Sequence, residues 1–342
     1  MKKFFLNGYE VATKACIEAG AEFMYGYPIT PSSDILNEWI KQAQKNKKLQ
    51  YLQTEDEIAA GFALCGSVIA GKKSFTATSG PGNVLMQDAL SMAEGMRLPF
   101  VAIIAQRGGP SSGTVIYSQQ EVNLTVHGGN GEGLRIVYSP SDLKELYRFI
   151  RYAFNVAWKY RFPAIVLTDG YLLKTKQDFE IVNQFRNEKA FPLFTEKKQK
   201  NIRNIYTAEE ELAEKLFSDK EDFVLLAKEI SESDSFELEK ADYAIIAHGI
   251  VAAVAYESIK DLRKKGIKIG LFKPCTLSPF PVQDLNEKMN KIKKIFIVES
   301  SLGQLADLIK QNLNFLPEIV VLQKPALGIE KTEIEEFVKN NI

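Results

Sequence analysis

Cysteine is scarce in this chain: Cys16, Cys65 and Cys275 are the only three in 342 residues, and none belongs to a Cys-x-x-Cys pair. Such wide spacing supplies no iron–sulfur or zinc motif. Cys16 and Cys65 fall among helical apolar residues, where small reduced core side chains are expected. Any redox centre must therefore come from elsewhere. A charge bias is also missing, because Lys plus Arg equals Asp plus Glu at 43 each; no global field draws nucleic acid or an anionic membrane. No stretch reaches the ~18 unbroken apolar residues of a membrane span, and Met1 to Gly8 has no signal-peptide core, so a cytoplasmic protein is expected. There are two histidines, His127 in a glycine-rich loop and His248 at a strand end, and neither has partners at metal-ligand spacing. No Walker loop, no complete Gly-x-Gly-x-x-Gly and no repeat or low-complexity tract is found.

What is present is ordinary globular composition, 45% hydrophobic and 25% charged, at a length that suggests two domains. Helical spacing over Gly8 to Gly20 gives way to a strand at Ala21 to Tyr27 and a helix at Pro31 to Gln44. Further strands are expected at Ser74 to Thr78, Pro99 to Gln106, Leu134 to Tyr138 and Ala164 to Thr168, with helices at Glu55 to Ala70, Asn83 to Gly95 and Ser141 to Tyr160. This alternation predicts an α/β fold with a doubly wound, mostly parallel sheet. A charged, irregular stretch follows, with Lys197, Lys198 and Lys200 in one run, and then a second, smaller alternating unit. The expected boundaries are a first domain over 1–190, a linker over 191–238 and a second domain over 239–342.

Ligands of doubly wound sheets gather beyond the carboxyl ends of the strands, and four segments stand where a predicted strand or loop gives way to a helix. They are Tyr27 to Asp34, Gln53 to Gly61, Ser79 to Gly82 and Arg107 to Gly113. Thr30 before Pro31 reads as a helix cap, yet the same geometry sets its hydroxyl at the positive end of a helix, where a carboxylate is favoured. Thr54-Glu55-Asp56-Glu57 matches a capping box with Thr54 as cap. Against that reading, three carboxylates crowd the head of an apolar helix, and whichever of Glu55, Asp56 and Glu57 turns inward acquires a raised pKa. Ser79-Gly80-Pro81-Gly82 suits either a tight turn or the close approach of a ligand. Arg107 is either solvated or placed to hold a carboxylate by two hydrogen bonds. The rim thus carries an acid, an arginine and a hydroxyl without a phosphate or metal motif, which reads as half of an active site.

Five strings in order, Tyr27-Pro28-Ile29-Thr30-Pro31-Ser32-Ser33, Thr54-Glu55-Asp56-Glu57, Thr78-Ser79-Gly80-Pro81-Gly82, Gln106-Arg107-Gly108-Gly109-Pro110-Ser111 and Phe272-Lys273-Pro274 through Pro279-Phe280-Pro281, carry a resemblance. Over nearly its whole length the chain resembles the alpha subunit of a 2-oxoacid:ferredoxin oxidoreductase of the separate-subunit type. The resemblance implies a pyrimidine-type thiamine diphosphate domain followed by a transketolase C-terminal-like domain. It makes Glu57 the group that hydrogen-bonds the aminopyrimidine ring of thiamine diphosphate, with Pro28 and Ile29 beside the cofactor, and it turns Thr30 and Arg107 toward the substrate's carboxylate and carbonyl. It also implies a beta subunit carrying the diphosphate, Mg2+ and a [4Fe-4S] cluster, with gamma and delta subunits, coenzyme A and ferredoxin completing the system. Thr168-Asp169-Gly170 is only a faint echo of a magnesium motif and is expected to be a turn.

Substrate choice is open between 2-oxoglutarate, which is favoured, and branched or other 2-oxoacids. The loop continues as Thr114-Val115-Ile116-Tyr117, more apolar than the Thr-Lys-Thr-like run associated with 2-oxoglutarate members, whereas His127-Gly128-Gly129-Asn130-Gly131-Glu132 is similar to them. Two other readings stand beside this one: a subunit of a non-oxidative thiamine enzyme, and a non-catalytic flavodoxin-like binding protein, since fold alone does not fix function.

Overall fold

The computed structural model describes residues 2–181, 186–195, 198–199 and 202–342; of the lysine run, Lys197 and Lys200 lie outside them. Its larger sheet has seven strands in the order Thr276–Ser278, Ile136–Tyr138, Ala164–Asp169, Val101–Gln106, Ser74–Thr78, Phe23–Gly26 and Gln50–Gln53. Every neighbouring pair is parallel except that of Thr276–Ser278, contributed from late in the chain, with Ile136–Tyr138. Ser74–Thr78, Val101–Gln106 and Ala164–Asp169 are buried on both faces. This is why Val101-Ala102-Ile103-Ile104-Ala105 runs apolar without alternation.

Helices cover both faces. Ser33–Lys45 buries Ile35, Leu36 and Trp39 in one core, where Trp39 meets Phe75 edge-on at 5.0 Å. Glu57–Ile69 buries Leu64, Cys65 and Val68 in the core on the opposite face. Strand Phe23–Gly26 has Gln50–Gln53 on one side and Ser74–Thr78 on the other, so the chain reverses its direction of progress across the sheet at this point. A crevice therefore opens beyond the carboxyl ends of Phe23–Gly26 and Ser74–Thr78, the switch point at which open α/β sheets bind ligands.

The second sheet has five strands in the order Ser233–Phe236, Ile269–Pro274, Tyr243–Ile246, Lys294–Glu299 and Glu318–Gln323, antiparallel only at its first pair. The charged stretch between the two units contains the 22-residue helix Glu209–Ile230, whose Phe223 and Leu226 join the first core; Phe223 meets Phe162 at 5.2 Å. Lys2–Asn7 pairs antiparallel with Lys176–Ile181. Gln50–Gln53 had no sequence signal because all four of its residues are exposed, which removes the alternation that marks a strand. Among the described residues no helix is long and apolar enough to cross a membrane.

The two sheets meet through a buried polar seam. Gln119 Nε2 donates to the His248 carbonyl at 2.9 Å, and its Oε1 accepts from the Ser300 amide at 3.0 Å. The His248 ring is fully buried, bonded through Nδ1 to Ser139 Oγ at 2.9 Å, and burial pushes its pKa down to about 4. A depressed folded value means that protons bind the unfolded chain more tightly. The stabilising contribution is therefore complete above about pH 6.5 and disappears as pH falls toward 4. Thermal melts of His248→Gln against the parent are expected to show the stability difference shifting in the variant's favour by about 3 kcal/mol as pH falls between those values; a constant difference would contradict this.

Candidate active site

Glu57 begins its helix, and the neighbouring residues explain why it is free for another role. Asp56, not Thr54, is the cap: its carboxylate accepts from the Ala59 amide at 2.8 Å, while Thr54 Oγ1 donates to the Asp56 carbonyl at 2.8 Å. The capping-box reading fails because the helix starts later than the sequence pattern suggested. Glu55 points to solvent, and Glu57 is the carboxylate that turns inward, with 3% of its surface exposed. Thr78 Oγ1 donates to Glu57 Oε1 at 3.1 Å. Burial raises the Glu57 pKa; the Thr78 bond and the Arg107 charge oppose that rise, and Asp56 adds to it.

The turn Ser79–Gly82 makes room for this acid. A Cβ on Gly82 would lie 2.1 Å from Glu57 Oε1 and 2.0 Å from Thr78 Oγ1, so only glycine leaves the carboxyl in place. Gly80, at φ +52°, opens the short helix Pro81–Leu85. The expected helix Asn83 to Gly95 is divided at Met86 into this turn-length piece and Gln87–Gly95.

Arg107 follows the strand Val101–Gln106 and is 6% exposed, so it is not a solvated arginine. Its Nη1 donates to the Thr30 carbonyl at 2.5 Å, and its Nε is buried without a partner among the described residues. Burial lowers its pKa, while Glu121 and Glu57 act to raise it. Thr30 lies in a turn, exposed, and does not cap a helix: Ser33–Lys45 begins after Ser32, whose own hydroxyl donates to the Ile29 carbonyl at 2.9 Å. Pro28 is exposed and Ile29 half-buried on the same turn. The rim thus brings Thr30 and Arg107 together through a hydrogen bond and sets Glu57 close enough to influence Arg107 electrostatically.

The local patterns did not point to Glu121. It is 5% exposed, accepts hydrogen bonds from both the Gly80 and Arg107 amides, and has its pKa raised by burial. Its only sequence signal is an acid preceding the apolar helix Val122–His127, which reads as ordinary helix-start chemistry. His127 ends that helix rather than sitting in a loop. Asp169 caps the helix Gly170–Lys174 through the Leu172 amide at 2.9 Å. Burial pushes its pKa up to about 6. Cys16, Cys65 and Cys275 are buried free thiols, and among the described residues no group of three or more His, Cys, Asp or Glu side chains could hold a metal ion.

Comparison with known proteins gives this geometry a context. Residues 14–240 match the thiamine diphosphate-binding domain of pyruvate flavodoxin/ferredoxin oxidoreductases, and residues 241–333 match core domain II of pyruvate:ferredoxin oxidoreductase. The chain is 30% identical to the 2-oxoglutarate synthase subunit KorA of Methanocaldococcus jannaschii, over 98% of each chain. It is 32% identical to the ketoisovalerate oxidoreductase subunit VorB of Methanothermobacter marburgensis, over 85% of this chain and 84% of that one. Among solved structures, the 2-oxoglutarate:ferredoxin oxidoreductase of Magnetococcus marinus, determined with 2-oxoglutarate, coenzyme A and succinyl-CoA bound, superposes with a TM-score of 0.87 at 27% identity. The match covers 99% of this chain but 65% of that one. A split-gene transketolase shares the fold, with a TM-score of 0.65 at 15% identity.

Proposed function

This chain belongs to the pyruvate flavodoxin/ferredoxin oxidoreductase family, and from that premise we propose that it is the alpha-type subunit of a 2-oxoacid:ferredoxin oxidoreductase. In this reading it forms the ring side of a thiamine diphosphate site and the clasp for the substrate's acid group. The complete enzyme would convert a 2-oxoacid and coenzyme A to acyl-CoA and carbon dioxide, passing the two released electrons to ferredoxin. The observation that carries the proposal is the pairing on one rim of a buried carboxyl, Glu57, with a buried guanidinium, Arg107, which spends one donor on the Thr30 carbonyl.

The residues fit the ring half of thiamine diphosphate. Glu57 is nearly stripped of water, one of its oxygens is fixed by Thr78, and the absence of a side chain at Gly82 leaves its carboxyl in place. Bound thiamine diphosphate would supply the carbon nucleophile that makes decarboxylation of a 2-oxoacid feasible. Glu57 would hold a proton against a ring nitrogen, a task suited to a carboxyl whose pKa is raised by burial. Arg107 would fix the substrate carboxylate with its remaining donors, and the exposed Thr30 hydroxyl would add a neutral hydrogen bond to the same acid head. A partner subunit would bring the diphosphate, the magnesium ion and the cluster.

The need for a partner has support in the surface around the rim. Tyr27, Leu52, Ile58, Phe62, Val84 and Leu85 are all exposed, with Val84 at 56%, on segments that adjoin Glu57. Apolar exposure concentrated around an open site marks an interaction surface. Replacing Ile58 with Lys and Phe62 with Asp together is expected to weaken co-purification with the partner at least ~10-fold while leaving the melt of the isolated chain unchanged. Undiminished assembly would contradict it.

The principal substrate proposed is 2-oxoglutarate. One observation favours a branched 2-oxoacid instead: the segment after the Arg107 loop is apolar, with Val115 57% exposed near the rim. Dye reduction by the reconstituted complex across a 2-oxoacid panel, with and without coenzyme A, tests the function and ranks the substrates. Turnover by this chain alone, or aldehyde release that needs no electron acceptor, would overturn the assignment.

A further inference from the structure

The chain that leaves the Arg107 loop returns to the rim at Glu121, and the bonds of this one carboxylate connect the two halves of the site. The Gly80 amide donates to both of its oxygens at 3.0 Å, the Arg107 amide donates to Oε2 at 2.8 Å, and Asn83 Nδ2 donates to Oε1 at 3.0 Å. Gly80 belongs to the turn whose Gly82 seats Glu57; Arg107 is the clasp. Their backbones are held by the same acid, and the side chain of one crosses the face of the other. A Cβ on Gly80 would lie 2.7 Å from Arg107 Nε, so the guanidinium passes over this glycine before it reaches the Thr30 carbonyl. The Asn83 amide that supports Glu121 also donates to Thr125 Oγ1 at 3.2 Å, while Gln87 Nε2 donates to Asn83 Oδ1 at 2.9 Å. The carboxylate is thus held firmly in turn.

We propose that Glu121 is the positioning residue of this site: by accepting hydrogen bonds from the Gly80 and Arg107 amides, it aims the Arg107 guanidinium at the carboxylate of the 2-oxoacid. The inference rests on the function proposed above and goes beyond it, since Glu121 acts only through Arg107. A carboxylate suits the task better than its amide. It offers two oxygens to converging N–H donors, whereas a glutamine offers one oxygen and turns an NH2 group against an amide that then has no acceptor. Its negative charge also compensates the buried guanidinium.

The test compares the wild-type reconstituted complex with Glu121→Gln and Glu121→Asp. For Glu121→Gln, kcat/KM for the 2-oxoacid is expected to fall about 100-fold through a raised KM, the scale on which small misplacements act. The KM for coenzyme A and the affinity for thiamine diphosphate should stay near wild type, while the melting temperature falls modestly because one buried amide loses its acceptor. Calorimetric affinity for an oxamate analogue, in which an amide replaces the reacting ketone, should fall in parallel without any turnover. Glu121→Asp keeps the charge but is one methylene short, and should lie between the two. Losses that affect every ligand equally and follow the melting temperature would overturn the proposal, as would a wild-type 2-oxoacid KM in Glu121→Gln. If that variant does not fold, Glu121→Asp decides: a selective rise in 2-oxoacid KM supports the proposal and an unchanged KM overturns it. A wild-type complex that neither turns over a 2-oxoacid nor binds the oxamate defeats the functional reading, and this inference with it.

Discussion

Glu57→Gln in the reconstituted complex is expected to lower kcat by 10²- to 10⁴-fold, the range spanned by a lost acid–base group, with little change in KM for the 2-oxoacid. The fold should survive because Glu57 does not cap its helix. Asp56 does, through the Ala59 amide, and the glutamine carbonyl can still accept from Thr78. What glutamine cannot do is exchange a proton with a ring nitrogen. The acid also stands where burial raises its pKa, so the neutral substitute relieves a desolvation cost instead of adding one. Steady-state kinetics with a parallel melt check the claim: a loss of kcat at unchanged melting temperature supports it, and retained kcat removes Glu57 from the chemistry.

Arg107→Ala is expected to act on the other kinetic parameter. Each hydrogen bond to a charged group contributes ~1.5–3 kcal/mol, so losing a two-bond clasp should cost roughly 10²- to 10⁴-fold in kcat/KM for the 2-oxoacid, chiefly through KM. Coenzyme A should be unaffected. Arg107→Lys keeps a charge but loses the planar fork that reaches the Thr30 carbonyl and would also span a carboxylate, and should recover only part of the loss. Equal effects on both substrates would mean that Arg107 supports the rim rather than contacting the acid.

These expectations rest on residues that differ in how visible they were in the sequence. The parallel sheet was legible because its central strands are buried on both faces, and runs such as Val101 to Ala105 leave few alternatives. The rim was legible as a set of strand-to-helix junctions, since glycine and proline punctuate it. Local chemistry could not decide which carboxylate turns inward: Thr54 through Glu57 fits a capping box, and only the shift of the cap from Thr54 to Asp56 frees Glu57. Thr30 met the same difficulty, because Thr-Pro reads as a helix start while the actual helix waits until Ser33. Glu121 lay beyond reach altogether. Its partners Gly80 and Arg107 are 41 and 14 residues away, and nothing in its neighbourhood marks a carboxylate that will be buried. The edge strand Gln50–Gln53 was missed for the opposite reason, as a fully exposed strand carries no periodic signal.

We propose that Glu57 sits at a thiamine diphosphate site completed by a second subunit. A solved structure of the co-purified complex with thiamine diphosphate bound tests it most directly. The Glu57 carboxyl is expected at hydrogen-bonding distance from a nitrogen of the aminopyrimidine ring, at a subunit boundary covered by the partner over Ile58, Phe62 and Val84. Finding Glu57 remote from the cofactor, or facing open solvent with the partner docked on another surface, would contradict it.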